Sequence, residues 1–411
     1  MKAFAIILML WLTAVVSSAE DLSLTLEQLQ QEALRVAPDL QSQIRQLEAA
    51  RAAARQAGRR PNPELYLSAD DEEQQITLAQ TFDIWGKRPI ARRIGLARAE
   101  VREAELANAR LAVLHEVAIQ FWTLADADRR LALLDDELAD WQKLIAIRKG
   151  EVEAGEIAVV DLFNSQSIAA KRRQERWRLL ETSTAARAAL NVMAGRSAGA
   201  ALEIEIPVWQ QVGINEPADP QEAIAQALSR NPLLRQIRAR LESAGLRIRQ
   251  EERSWVLDPK IGAFARQTSD GTIGGIMVRF SLPVFDRNQD GVRAANFDEA
   301  AVQAELRSAE LLVAQEAYIA FQILAQTRSA FEESSELVNG LLAQQQELMQ
   351  KSFEIGEISE RDLLVARIDW IRHEQELEAL RARLGLAKAR LSHALSAEES
   401  ETNFKWTQNN Y

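Results

Sequence analysis

Two copies of one short stretch decide how this chain folds: Glu-Ala-Gly-Glu-Ile-Ala-Val-Val-Asp-Leu at residues 153–162 and Glu-Ile-Gly-Glu-Ile-Ser-Glu-Arg-Asp-Leu at residues 354–363. The two glycines, Gly155 and Gly356, are 356 minus 155, or 201, residues apart. Each copy lies between long charged and alanine-rich runs that are typical of helices. A glycine that ends one such run, with an aspartate before the next, indicates that a helix stops and another starts. Both copies are therefore predicted to be the tips of helical hairpins.

The composition limits the possible functions. The chain has 411 residues, of which 47% are hydrophobic, so it can bury a large core and form two or three domains. The formal net charge of -11 argues against a nucleic-acid partner, which would need a basic surface. The basic run 171–173 lies among acidic residues and is interpreted as a solvated helix face. Because the chain has no cysteine, disulfides and thiolate metal sites are excluded.

The amino terminus predicts export. Residues 1–19 have the pattern of a secretory signal peptide, with the positive Lys2, an apolar core at 4–16 and a small-residue cleavage site at 17–19. This apolar core is too short to span a bilayer as a stable helix, and no other stretch is long and apolar enough to do so. The mature chain is therefore expected in the periplasm or the outer membrane.

The chain is internally duplicated. The first repeat is expected at 20–200 and the second at 221–398, joined by a proline-containing seam at 201–220 and followed by a tail at 399–411. A period of about 200 residues is too long for a solenoid unit, so we interpret it as a duplicated half-protein. Each half is predicted to hold a leading helix, a strand hairpin and a long helical hairpin; the leading helices are expected at about 25–58 and 221–255.

Both halves contain a segment in which apolar residues alternate with polar or small ones, at 63–82 and at 259–283. Such alternation predicts strands, and each strand would have the length of a tilted strand that crosses an outer membrane. Trp85 and Trp255 lie at the ends of these hairpins. We expect them in the aromatic girdle at the membrane interface, and the alternative is a core position under a soluble sheet.

Long helices are predicted after each strand hairpin. They run for about 65 residues to the tips at Gly155 and Gly356, roughly 95 Å at the rise of an α-helix. Returning helices are expected at about 159–194 and 360–395. Four membrane strands cannot close a barrel, and open strand edges are not tolerated in lipid, so copies of the chain must associate. Two copies would give a nearly filled barrel, whereas three would leave a passage.

The signal peptide, the duplicated halves, the strand pair in each half and the paired Gly-Glu-Ile tips together resemble the TolC-type outer-membrane factor family over nearly the whole mature chain. The resemblance implies a fold that is mainly α with membrane β: a long α-helical barrel and four strands per chain in a shared trimeric β-barrel. It also implies a homotrimer that contacts outer-membrane lipid and extends into the periplasm of a Gram-negative bacterium. A periplasmic adaptor protein would link it to an inner-membrane efflux pump.

Within that family, the run Phe82-Asp83-Ile84-Trp85-Gly86-Lys87-Arg88 resembles the Gly-Lys-Arg junction of the heavy-metal cation efflux branch. That branch usually has two glycines at this point, where this chain has Trp85-Gly86. The resemblance implies export of heavy-metal cations with a resistance-nodulation-division pump. Drug efflux and type I secretion are the alternatives.

The resemblance also assigns residues to two sites. The adaptor-contact motif maps onto Gly155, Glu156, Ile157, Gly356, Glu357 and Ile358. The pore-constricting aspartate maps onto Asp362, with Asp161 as its counterpart in the first half. A ring of these carboxylates would favour cations, although either aspartate could simply stabilise the start of a returning helix. Some relatives have a second aspartate where this chain has Val365, and a tip arginine where it has Ile358, so the closed-state contacts could differ.

An enzyme is not expected, and neither is a cofactor or a bound metal. The three histidines are scattered over helices without ligand spacing, and no phosphate loop or nucleophile motif stands out. The alternative from a different class is a periplasmic coiled-coil adaptor or scaffold. Such proteins also contain helical hairpins, but the duplication and the strands of spanning length favour the duct.

Overall fold

The computed structural model describes residues 23–69, 73–206, 216–256, 258–268, 271–280 and 286–396. The expected signal peptide and the tail at 399–411 lie outside these residues, as does part of the expected seam. In chain order the elements are α1 (Leu26–Val36), α2 (Pro38–Ala57), β1 (Glu64–Ala69), β2 (Glu73–Thr81), α3 (Lys87–Glu153), α4 (Val159–Met193), α5 (Pro220–Arg230), α6 (Pro232–Glu252), β3 (Lys260–Thr268), β4 (Gly271–Arg279), α7 (Gln289–Glu336), a π-helix (Leu337–Leu342), α8 (Ala343–Glu354) and α9 (Glu360–Leu395). The mainly helical fold with four strands is confirmed.

These elements form two compact units. Of the described residues, the first unit takes those at 23–37, 113–206 and 322–391, and the second takes those at 38–112, 216–321 and 392–396. Each unit thus draws on both sequence repeats. The hairpin tips belong to the first unit and the strands belong to the second.

The single leading helix predicted in each half is wrong, because each is broken by a proline. Ala37 and Asn231 have ψ angles of 112° and 122°, and Pro38 and Pro232 follow them as the first residues of α2 and α6. Proline lacks an amide hydrogen, and its ring disfavours the helical conformation of the residue before it. Asn231 also caps the new helix, since its side chain accepts hydrogen bonds from the amides of two following residues.

The long helices differ between the halves. α3 is continuous over 67 residues, close to the predicted length. Its counterpart is interrupted by the six-residue π-helix between α7 and α8, which the sequence pattern did not predict. Gly340 lies in this segment, and glycine is among the weakest helix formers, so the regular hydrogen-bond ladder is easily replaced there. The returning helices α4 and α9 end within one residue of their expected limits.

The four strands form one antiparallel sheet in the order β1-β2-β3-β4, so the two predicted hairpins are joined through β2 and β3. Leu65 pairs with Leu78, Leu78 with Ala263, and Ala263 with Ile276. Directly paired residues point to the same face. That face carries seven exposed apolar side chains, from Leu65, Leu67, Ile76, Leu78, Ile261, Ile276 and Val278.

Each unit has its own helix packing. In the first unit, Phe121 and Trp122 of α3 lie in a buried cluster with residues of α1 and α4. In the second unit, α2 and α3 approach closely, since a Cβ on Gly95 would lie 2.7 Å from the Cα of Ala54. Small residues therefore set the helix spacing at this contact. Within the ranges that the structure describes, no helix combines the length and apolar character needed to cross a bilayer.

Candidate functional site

The first hairpin tip ends α3 with a glycine in the left-handed conformation. Gly155 has a φ of +79°, its amide donates to the carbonyl of Val152 at 3.0 Å, and the amide of Glu156 donates to the carbonyl of Glu151 at 2.8 Å. This pair of bonds is the Schellman motif, which satisfies carbonyls that a helix end leaves free. The glycine that was predicted to stop the helix therefore does so through its backbone.

The second tip repeats this geometry. Gly356 has a φ of +78°, its amide donates to the carbonyl of Phe353 at 3.0 Å, and the amide of Glu357 donates to the carbonyl of Ser352 at 2.8 Å. A Cβ on either tip glycine would meet no atom within 4 Å. The backbone conformation, rather than crowding, thus requires glycine at both tips.

The structure places both predicted adaptor-contact motifs on the turns. Glu156 and Glu357 are exposed, whereas Ile157 and Ile358 are partly buried. The two turns lie at the same level, because Arg361 Nη1 at the start of α9 is 3.2 Å from Glu151 Oε1 near the end of α3. Two acidic turns side by side could bind a partner that approaches the end of this unit.

The tips differ in the helix starts that follow them. In the first, the exposed residues Val159, Val160 and Phe163 form an apolar start to α4. In the second, Glu360 and Arg361 occupy the places of the two valines. A partner that covers both tips would therefore meet one apolar and one charged surface.

Asp362 lies in the first turn of α9, where it interacts with the helix cap. The hydroxyl of Ser359 donates to Asp362 Oδ2 at 2.7 Å, and the amide of Asp362 donates back to that hydroxyl at 3.3 Å. The Ser359 hydroxyl and the nearby Arg361 guanidinium lower the pKa of Asp362 more than desolvation raises it. The carboxylate is therefore charged at neutral pH. It also helps to start the helix, which was the alternative role considered from the sequence. Its pore role stays a prediction.

Asp161 has a different environment. It is exposed in the first turn of α4, and Ala158 at the cap position makes no side-chain hydrogen bond. The backbone carbonyl of Asp161 accepts from Arg148 Nη1 at 3.3 Å and from the hydroxyl of Ser165 at 2.8 Å. Arg148 thus ties the start of α4 back to α3, and the Asp161 carboxylate stays open to solvent.

A buried carboxylate that was not predicted from the sequence joins three helices. Glu137 of α3 is 0% exposed, and it contacts Arg172 Nε of α4 at 3.0 Å and Arg372 Nε of α9 at 3.2 Å. Trp141 Nε1 and Gln375 Nε2 each donate to its carboxylate at 3.1 Å. Glu137 lies between Leu134 and Trp141, which are both buried and are one helical turn before and after it. A charge between apolar residues at helical spacing was the signal available in the sequence.

A second buried carboxylate lies one turn closer to the tip. Asp140 of α3 is 1% exposed, and Arg367 Nε of α9 is 3.0 Å from its Oδ2. Glu137 and Asp140 together form ion pairs that connect the first hairpin to the second. These contacts join α3 to both α4 and α9 in the first unit.

The predicted Phe82–Arg88 junction is a turn at the start of α3. Both oxygens of Asp83 accept backbone hydrogen bonds, from Lys87 at 2.8 Å and from Arg88 at 2.9 Å. Burial raises the pKa of Asp83, but the hydrogen bonds from Arg88 and Lys87 outweigh this effect and the pKa is lowered. Gly86, with a φ of +70°, supplies the change of chain direction.

Both predicted interface tryptophans are near this junction. Arg253 Nη1 donates to the backbone carbonyl of Trp85 at 2.8 Å, which links the end of α6 to the turn. The indoles of Trp85 and Trp255 are both exposed in the described chain. Their place in a membrane interface stays a prediction.

Comparisons with known proteins identify the family. The model of the outer membrane efflux protein family matches residues 29–196 and 223–397, two segments that cover most of the chain. The nickel and cobalt resistance protein CnrC of Cupriavidus metallidurans is 26% identical over 318 residues, which are 74% of each protein. The nickel-cobalt-cadmium resistance protein NccC of Alcaligenes xylosoxydans xylosoxydans is 26% identical over 296 residues, 68% of this chain and 66% of NccC.

The fold has solved counterparts. The structure of the outer membrane protein VceC of Vibrio cholerae superposes with a TM-score of 0.73 at 19% identity, covering 90% of this chain and 96% of VceC. This similarity concerns the fold alone. The same fold is found in the outer-membrane channel OprN, at a TM-score of 0.73 and 15% identity over 90% of this chain and 89% of OprN. Since the family model spans both halves, the chain belongs to the outer membrane efflux protein family.

Proposed function

We propose that the protein is the exit duct of a tripartite efflux pump. Three copies would close a β-barrel in the outer membrane and continue it as a helical conduit in the periplasm. An adaptor bound at the hairpin tips would connect this conduit to an energised inner-membrane pump. The duct itself would be passive.

The observation that carries this proposal is the exposed apolar face of the sheet. The seven apolar side chains on that face, named above, cover all four strands. A patch of this kind is unfavourable in water and suits lipid chains. The exposed side chains at Ile76 and Ile276 would therefore point into the bilayer.

The opposite face has the polar character of a channel interior. Lys260 Nζ is 2.7 Å from Glu64 Oε2, and Arg266 Nη1 is 3.5 Å from Glu73 Oε2. Polar groups of this kind can face a water-filled barrel but not lipid. The two faces thus divide the sheet as a barrel wall requires.

The sheet needs further copies of the chain. Among the described residues, β1 and β4 are its edge strands, and each pairs with one neighbouring strand. Lipid cannot satisfy the free backbone groups of such edges. Three sheets of four strands give a closed barrel of twelve, wide enough to leave a passage.

Heavy-metal cations are the proposed substrate class, exported with a resistance-nodulation-division pump. Two relatives, CnrC and NccC, are named for resistance to nickel, cobalt and cadmium. Rings of Asp362 and Asp161 carboxylates would add a preference for cations at the narrow end. The charged state of Asp362 at neutral pH supports that preference.

A substitution at the tip tests the proposal. Gly356→Trp should abolish nickel, cobalt or cadmium resistance in cells that carry the matching pump and adaptor, because it blocks the docking turn. Gly271→Trp is the matched control, since Gly271 also has a positive φ (+134°), a Cβ there also meets no atom within 4 Å, and it lies in the strand hairpin rather than at a tip. Both variants carry backbone strain, so resistance is compared at equal amounts of protein in the outer membrane. Full resistance with Gly356→Trp would contradict the docking role.

A further inference from the structure

The first unit leaves two helices with uncovered apolar edges. Within it, α3 lies between α4 and α9, because Glu137 binds Arg172 of one and Arg372 of the other. α9 in turn contacts α7, where the guanidinium of Arg381 lies 6.0 Å from the ring centre of Phe331. α4 and the α7–α8 arm are therefore the two outer helices of this group.

The outer face of α4 combines aromatic and positive side chains. Trp177 is 66% exposed, and Phe163 lies two heptads before it on the same face. Lys171, Arg173 and Arg178 are exposed around Trp177, and none of them forms an ion pair within the described residues. We call these five residues the α4 edge. Lys171 and Arg173 belong to the run interpreted from sequence as a solvated face, whereas Arg172 between them binds the buried Glu137.

The outer face of the α7–α8 arm combines leucines and negative side chains. Leu341 and Leu348 are both 64% exposed and one heptad apart, and Leu337 lies one turn before Leu341. Glu333 and Glu336 are exposed beside them, without an ion pair in the described part of the chain. We call these five residues the α7–α8 edge. All five side chains are exposed in the described part of one copy, so a second copy can reach this edge.

The two edges match in height above the tips. Trp177 is 177 minus 159, or 18, residues beyond the start of α4. Leu337 is 354 minus 337, or 17, residues before the end of α8. Both therefore lie roughly 26 Å from their turns at the rise of an α-helix. Because the Arg361–Glu151 contact sets the turns at one level, these two residues share one height.

We infer that the α4 edge of one copy packs against the α7–α8 edge of the next copy. Trp177 then covers Leu337 and Leu341, and Arg178 faces Glu336 at the same height. Since the two edges are different surfaces, the contact is head-to-tail, and it closes into a ring when the rotation is right. The inference rests on the trimer of the proposed function and names the residues that hold it together.

Cysteine cross-linking tests the contact cleanly, because the chain has no cysteine of its own. Trp177→Cys combined with Leu337→Cys should give disulfide-linked dimers and trimers when outer membranes are oxidised, and these should disappear on reduction. The matched control is Trp177→Cys combined with Glu376→Cys. Glu376 is 76% exposed at nearly the same height but lies on the inner helix α9, so this pair should give only the background of Trp177→Cys alone.

Charge exchange gives a second measurement. Arg173→Glu with Arg178→Glu should reduce the cross-linked product towards that background, and so should Glu333→Arg with Glu336→Arg. The four changes together should restore the cross-linked product, because they exchange the charges of the two edges and opposite charges still face each other.

The outcomes separate this contact from the duct itself. The edge assignment would be wrong if the protein has a trimeric mass but residues 177 and 337 do not cross-link. It would also be wrong if residues 177 and 376 cross-link in equal yield. Neither outcome would contradict the proposed duct. A monomeric mass for the unmodified protein would overturn both.

Discussion

At the scale of the residue, Glu137 is the buried charge on which the packing of the two hairpins depends. Its side chain is fully buried and contacts two guanidinium groups from different helices. Removing one member of a buried pair leaves the others without a counter-charge. The cost is usually several kcal/mol, reduced here because both arginines keep part of their exposure.

We therefore expect Glu137→Ala to destabilise the protein by about 2–3 kcal/mol. Thermal unfolding of the detergent-solubilised protein would show this as a lower Tm. Glu181→Ala is the control, since Glu181 is exposed on α4 and makes no ion pair among the described residues. Equal Tm values for the two variants would show that the Glu137 contacts contribute little.

The pKa of Asp362 predicts how the cation preference of the channel depends on pH. This pKa is lowered from the ordinary value of 3.8, mainly by the hydrogen bond from the Ser359 hydroxyl. Desolvation raises the pKa, but the Arg361 guanidinium lowers it further. A carboxyl with a lowered pKa keeps its charge, and the stability this charge gives the folded tip, until the pH falls through the lowered value. Cation preference that depends on Asp362 should therefore persist to below about pH 3.8.

Planar-bilayer reversal potentials would measure that preference. Asp362→Asn should reduce it at neutral pH, whereas Glu360→Gln, a charge loss in the same helical turn, should reduce it less. A native channel that loses its preference well above pH 4, or an Asp362→Asn channel with native selectivity, would exclude the pore role.

At the scale of the element, the sheet divides isoleucines between two environments. Ile76 and Ile273 are 55% and 57% exposed, but they lie on opposite faces, since Ile76 pairs with Ala265 and Ile273 with Arg266. Ile76→Arg would place a charge in lipid, at a cost of about 2–4 kcal/mol near the bilayer centre. Ile273→Arg would place the same charge in the barrel interior.

The amount of folded protein in washed outer membranes should fall for Ile76→Arg and stay near native for Ile273→Arg. Both substitutions replace isoleucine with arginine in a strand, so side-chain size and strand propensity cannot explain a difference between them. Equal losses, or a greater loss for Ile273→Arg, would reverse the proposed lipid face.

The elements that the sequence predicted are those with local signals. Alternation marked the strands, and the glycines at 155 and 356 marked the tips, because each feature depends on a few neighbouring residues. The helix breaks at Pro38 and Pro232 also have a local signal, because a proline within a helical pattern indicates a boundary at the residue before it. By contrast, the pairing of β2 with β3 and the contacts of Glu137 depend on residues far apart in the chain, which periodicity cannot reveal.

The candidate site also contains some features with a local signal in the sequence and others without one. The sequence predicted the two glycine turns, on which the adaptor-contact motif stays a prediction, but the Ser359 cap that holds Asp362 became visible only in the structure. The π-helix near Gly340 had no pattern that predicted it, since one glycine in a long helix usually costs stability without changing the hydrogen-bond ladder.

At the scale of the whole molecule, one chain has the features of an incomplete part of a closed assembly. The sheet has two free edges and an apolar face, and the first unit has two uncovered helix edges. Each of these features would be unfavourable in a protein that works alone in water. All of them are satisfied if three copies surround one passage through the outer membrane.

The most direct test is the location and mass of the native protein. Membranes would be separated, the outer-membrane fraction washed with carbonate, and the protein extracted in detergent for light scattering corrected for bound detergent. The account predicts a protein that resists the wash and has the mass of three chains. A protein that carbonate releases, or that has the mass of one chain, would contradict it.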